Sequence, residues 1–218
     1  MCQKQRLIAY VDGFSLYYGL RSKGWQRLYW LNIRLLVENL LKPYEQLVAV
    51  KYFTSTVSPM RHDPFKHKRQ QVFLDALATL PDFQVFYGRY ELRQQACPKC
   101  GAQQTCSKCG LPQEKHTEKK TDVNMAVELL VDAVQNKFDT ALLVSGDSDL
   151  TPAVDKVTKL APNTRIVVAF PPNRISKELG KSASYSFTIG RAKLKKSLFP
   201  DKVVTPDGFP LIKPMAWA

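Results

Sequence analysis

Three short stretches place aspartates where they can act together. In VSGDSDLTPAV (144–154), Asp147 and Asp149 stand two apart, after the apolar run FDTALLV (138–144) and before Thr151-Pro152. That run is long enough for one buried strand. Threonine followed by proline is a helix start, with threonine as cap and proline at the first helical position. The acidic pair is therefore expected on a loop leaving the carboxyl end of a strand. In AYVDGFSL, Asp12 follows the strand-like run 7–11 at the same kind of edge, with Asp12-Gly13 as the turn, and in EKKTDVNMAVELL Asp122 opens a helical pattern. Open α/β sheets bind ligands at that edge. Taken alone, each acid also suits a plainer role as helix cap or first-turn charge. Gathered carboxylates repel one another, so a site that holds several takes a hard divalent cation, and all-oxygen ligands select magnesium or manganese. Against a phosphate, such an ion activates a bound water and stabilises the leaving oxygen.

Positioning these acids requires an alternating chain. Strands are expected at 7–11, 47–53, 83–90, 138–144, 165–170 and 185–189. Asn32 caps a helix with Ile33, Leu36, Val37, Leu40 and Leu41 at helical spacing, and Asp63-Pro64 opens another whose apolar face is Val72, Phe73, Ala76, Leu77 and Leu80. The helix after Asp122 carries Val123, Ala126, Val127, Leu130, Val131 and Val134, and further helices are expected at 152–160 and 175–179. Such alternation means a parallel sheet with helices on both faces. Glu128 falls on roughly the same side of its helix as Asp122, about 9 Å along it, and is a candidate outer member of the site. Ser145 is placed to orient a water or a phosphate. It is a poor nucleophile, because no histidine stands in a triad context. Residues 200–218 are proline-rich without periodicity and read as an extended tail behind a domain spanning 1–199.

The chain of 218 residues, 44% hydrophobic, carries a formal charge of +13. That surplus favours an anionic partner, most commonly nucleic acid. It clusters at Lys66, His67, Lys68 and Arg69, at Lys115, Lys119 and Lys120, and at Arg191, Lys193, Lys195 and Lys196, where a solvated helix face is the plainer reading. No apolar run reaches the roughly 18 residues that span a membrane, and no signal peptide precedes the first strand, so a cytoplasmic protein without membrane association is expected.

In CPKCGAQQTCSKCG, Cys97, Cys100, Cys106 and Cys109 form two C-x-x-C-G knuckles. Four thiolates so spaced make a closed tetrahedral site, and structural zinc is expected within an insertion at 94–117; disulfides or a redox pair are the alternative.

YVDGFSLYYGL, EKKTDVNMAVELLVDA and ALLVSGDSDLTPAV resemble, in order and spacing, the signature segments of NYN-domain proteins, a branch of the PIN-like nucleases. The resemblance implies a PIN-like three-layer α/β/α sandwich with a mainly parallel sheet and a metal-dependent ribonuclease. It puts Asp12, Asp122, Asp147 and Asp149 on the family's acidic positions. Where the family commonly has asparagine, this chain has Ser15, which still accepts a hydrogen bond. The expected site has Asp12, Asp122 and Asp147 on the catalytic metal, Asp149 assisting, and Ser15, Ser145, Lys66, Lys68, Arg69 and Lys120 toward the substrate. A non-catalytic RNA-binding protein and a structure-specific DNase are the alternatives, with oligomeric state open between monomer and homodimer.

Overall fold

Along β1 (Gln5–Asp12) the side chains alternate between two hydrophobic clusters: Leu7, Ala9 and Val11 belong to one, Ile8 and Tyr10 to the other. A period of two on a strand buried on both faces makes it the middle layer of three. The computed structural model describes residues 4–59, 63–107 and 110–218. After β1 come α1 (Gly13–Ser22), α2 (Ile33–Leu40), β2 (Glu45–Thr54), α3 (Lys66–Ala78) and β3 (Phe83–Tyr87). β4 (Arg89–Gln94) and β5 (Glu114–Lys119) form a separate antiparallel ribbon that carries the cysteine segment between its strands. The chain then runs through α4 (Thr121–Val134), β6 (Thr140–Val144), α5 (Thr151–Leu160), β7 (Arg165–Phe170), α6 (Lys177–Ser182), β8 (Tyr185–Thr188) and α7 (Arg191–Lys195), ending in a small ribbon of β9 (Lys202–Val204) and β10 (Pro210–Ile212).

The main sheet has six strands in the order β3-β2-β1-β6-β7-β8, every neighbouring pair parallel. Helices α1, α2 and α3 cover one face through Leu16, Leu20, Ile33, Leu36, Leu74 and Leu77; α4 and α5 cover the other through Met125, Leu129, Val154 and Val157. The expected three-layer sandwich is therefore present. From β1 the chain moves outward to β2, and from β6 outward to β7, so the two connections diverge and leave a crevice between adjacent strand ends. Among the described residues, no helix is long and apolar enough to cross a membrane.

Several local expectations change. The turn expected at Asp12-Gly13 is the start of α1, unexpected because two glycines and a run of aromatics lower its helical signal. The strand expected at 83–90 breaks at Gly88, whose amide donates to Thr54 O, and the chain leaves the sheet for the ribbon. Asp63 does not cap α3: that helix begins two residues after Pro64, and Asp63 pairs with Arg69 instead. Thr151 is inside α5 and not its cap, because a 3-10 turn at Ser148–Leu150 runs directly into the helix. On α4, Val123, Val127, Val131 and Val134 are exposed; the buried line is Met125, Leu129, Asp132 and Ala133. Residues 200–218 do not extend away. Val203 and Leu211 join the core, and the Trp217 ring packs at 5.8 Å from Tyr29 and 6.2 Å from Trp30 and Phe73. Each anchor is a single apolar residue in a very short element, which leaves no period to read.

Candidate active site

Register puts the acids side by side. Val11 pairs with Val144, so Asp12 and Ser145 are the next residues off adjacent strands at the crevice. Asp12, 5% exposed, caps α1: its Oδ1 accepts the Ser15 amide at 2.9 Å, and its Oδ2 accepts the Ser145 hydroxyl at 2.9 Å. The Ser145 hydroxyl in turn accepts the Asp147 amide at 3.1 Å, and the Ser15 hydroxyl accepts the Gly146 amide at 2.9 Å. Both serines, expected toward substrate, are thus engaged within the protein and hold the loop to Asp12. Gly146 is required by space: a Cβ there would lie 2.4 Å from the Arg174 carbonyl. Asp147 caps the 3-10 turn, its Oδ1 accepting the Asp149 amide at 2.9 Å, which leaves its other oxygen uncommitted and Asp149 exposed.

Asp122 stands in the first turn of α4. The residue before that turn, Lys120, is exposed and has φ +73, a conformation costly for a side chain with a Cβ, and it offers no side-chain cap. The electrostatics tie the acids together. Burial pushes Asp12 up from 3.8 to about 6 against two hydrogen bonds that oppose the rise, and Asp122 and Asp147 push it further; Asp122 is raised by burial and then by Asp147 and Asp149. Carboxylates that raise one another are relieved by a cation, and free oxygens remain on this rim, so the donor set fits magnesium or manganese. Among the described residues, no three His, Cys, Asp or Glu side chains are already drawn together around an ion position.

The raised Asp12 has a stability consequence. Between about pH 4 and 6 the folded protein binds more protons there than the unfolded chain, so metal-free stability falls as pH rises and the loss is complete above about pH 6. At ~1.4 kcal/mol per pH unit the total is about 3 kcal/mol. Asp12→Asn keeps the acceptor for the Ser15 amide, removes this slope and raises chelator-treated stability near pH 7.5 by up to about 3 kcal/mol. Urea unfolding across pH checks it; an unchanged slope overturns the assignment to Asp12.

The model of the family described as the NYN domain matches residues 6–190. The chain belongs to the NYN-domain family. The sheet is accordingly a PIN-like one, and the family is nuclease-like, working on nucleic acid and usually with divalent metals. A curated relative, the 6-hydroxy-3-succinoylpyridine 3-monooxygenase of Pseudomonas putida, is 26% identical over 236 residues, covering 95% of this chain and 74% of its own. A crystal structure of a protein of unknown function from Vibrio parahaemolyticus superposes with TM-score 0.55 at 18% identity over 91% of this chain and 99% of the other, a likeness of fold.

The cations of this NYN domain are less free than the sequence suggests. Lys66 Nζ stands 5.7 Å above the Tyr17 ring, Lys68 Nζ 5.6 Å above Phe65, and Arg69 pairs with Asp63. Glu128 turns from the rim to Lys51, 2.6 Å from its Nζ. Sequence reasoning missed Arg174, whose backbone abuts Gly146 and whose guanidinium lies 5.6 Å over Tyr18. Its only local signal was the Pro171-Pro172 turn before it.

The cysteine segment makes two turns with one bonding pattern. Cys97 N donates to Ala102 O at 2.8 Å and Gly101 N to Cys97 O at 2.9 Å; Cys106 N donates to Leu111 O and Gly110 N to Cys106 O, each at 2.8 Å. Gly101 and Gly110 have φ +72 and +68, where glycine carries no Cβ penalty. Amides of Cys100 and Lys99 hold the Cys97 thiol below its usual range. Cys109 lies outside the described residues.

Proposed function

We propose that this NYN domain hydrolyses phosphodiester bonds in RNA at the rim formed by Asp12, Asp122, Asp147 and Asp149. The supporting observation is buried Asp12 at the crevice between adjacent strand ends, joined to Asp147 through the Ser145 hydroxyl and raised by both Asp122 and Asp147. Asp12, Asp122 and Asp147 are the residues to hold magnesium or manganese. Such an ion, when bound, lowers the pKa of water and offsets charge on the phosphate and the leaving oxygen. Ser15 and Ser145 keep Asp12 and the 145–149 loop in register. Exposed Asp149 takes the proton of the attacking water as its oxygen bonds to phosphorus. The bond from phosphorus to the leaving sugar oxygen breaks, and that oxygen takes a proton from solvent. Lys120 beside Asp122 and Arg174 beside Gly146 supply positive charge for the flanking phosphates.

The test is incubation of the purified chain with labelled RNA and DNA in manganese, magnesium or chelator. Cleavage of RNA that chelator stops supports the reading. DNA cleaved in preference to RNA replaces it with a DNase, and binding without cleavage under all conditions replaces it with a binding protein.

The knuckles we assign to structural zinc on Cys97, Cys100, Cys106 and Cys109, with the paired turns of the first and third cysteines as support. Elemental analysis is expected to find one zinc per chain, lost in Cys97→Ser and in Cys109→Ser. Metal-free, well-folded protein with paired cysteines overturns the assignment.

A further inference from the structure

On the face of the sheet covered by α1 and α3 lies a cavity of about 100 Å³. Gly13 and Thr54, which follow Asp12 and close β2, form part of its lining, so it begins at the same strand ends as the acidic rim. Its walls are aromatic: Tyr17 and Tyr29 with centroids 5.0 Å apart, then Phe73 and Trp217. All four rings are only partly buried, and the folded-back C-terminal segment supplies the last of them. Lys66 and Arg69 belong to the same lining. Among the described residues, Arg21 and Arg69 both act on Lys66, with Asp63 as the opposing carboxylate. Burial and then the neighbouring arginines hold Lys66 below its usual range, an arrangement that an incoming anion relieves.

We propose that this cavity is a base-binding subsite, taking the aromatic base of a nucleotide that flanks the cleaved bond, with that nucleotide's phosphate on Lys66 and Arg69. The partly buried aromatic walls suit a flat aromatic ring. Stacking on aromatic side chains tolerates any base and contributes substantially to single-strand binding, while the cations fix the backbone. None of the rim aspartates takes part, so the subsite rests on the phosphodiesterase reading only for its place beside the cleaved bond.

Calorimetry on the full chain without added magnesium or manganese compares nucleoside 5′-monophosphates with ribose 5-phosphate, inorganic phosphate and nicotinate. At least one nucleotide is expected to bind about tenfold or more tighter than ribose 5-phosphate, with Trp217→Ala abolishing the preference and Lys66→Gln weakening nucleotide and sugar phosphate alike by about tenfold. Thermal melts report whether Trp217→Ala stays folded; if it does not, Lys66→Gln and the base-free ligand carry the test. Equal affinity for nucleotide and ribose 5-phosphate overturns the proposal, as does a nucleotide affinity unmoved by Lys66→Gln. Nicotinate bound more tightly than every nucleotide also overturns it, in favour of a pocket for small aromatic acids. Asp147→Asn leaves nucleotide binding intact. A base preference without RNA cleavage therefore refutes the catalytic reading alone, and cleavage without a base preference refutes the subsite alone.

Discussion

Asp147→Asn is expected to lower RNA cleavage by about a thousandfold or more, equivalent to ~4 kcal/mol of transition-state stabilisation, while leaving RNA affinity unchanged or slightly higher. The side chain keeps its shape, and Oδ1 still accepts the Asp149 amide, so the 3-10 turn is retained. What is lost is the negative charge at the rim, carried by the carboxylate whose Oδ1 holds the turn. Removing it also removes a group that raises Asp12 and Asp122. The variant should therefore be no less stable than wild type in chelator even though it is inactive. A single-turnover assay with a parallel binding measurement separates the two quantities. Cleavage that persists within tenfold of wild type removes Asp147 from the chemistry and with it the proposed metal position.

Asp132→Ala is expected to destabilise the fold by about 3–5 kcal/mol. Asp132 is fully buried on α4, where it accepts the Tyr10 hydroxyl at 2.6 Å and the Lys51 ammonium, with Lys137 Nζ 3.1 Å from its other oxygen. Burial raises its carboxyl, but the hydrogen bonds from Lys51 and Tyr10 and the ion pair with Lys137 outweigh that and hold it below the usual range. Tyr10 is pushed up by its burial and by the same carboxylate. Truncation leaves Lys51, itself nearly buried between the rings of Tyr10 and Phe86, with Glu128 as its remaining acid, and strips the Tyr10 hydroxyl of its acceptor. At roughly 2–4 °C per kcal/mol for a chain of this length, the melting temperature should fall by about 10 °C. The pair Lys51→Met and Asp132→Asn removes the charges and keeps an acceptor for Tyr10, so it should recover most of the loss. A double variant as unstable as Asp132→Ala would place the effect in packing. The network fastens α4, and with it Asp122, to β1 and β2.

What could be read along the chain were features signalled within a few residues. An apolar run ending in Asp-Gly or Ser-Gly-Asp marks a buried strand and its exit loop, which located Asp12, Asp147 and Asp149 at one edge of a parallel sheet. The knuckle glycines were legible for the same reason, because a tight turn needs its own residues in place. Lys51 was not: it interrupts an apolar strand, and the acids that neutralise it lie 77 and 81 residues away. The apolar residues of α4 could not disclose which would be buried, since an all-round mixture of valine, leucine and alanine leaves the choice to whatever packs opposite. Here a buried Asp132 rotates the helix so that four valines face outward. The aromatic walls of the cavity come from α1, the stretch before α2 that holds Tyr29, α3 and residue 217, four segments with no shared local pattern. Periodicity and turn chemistry act between near neighbours in sequence, whereas burial, ion pairing and cavity shape depend on groups that meet only when the sheet has brought distant segments together.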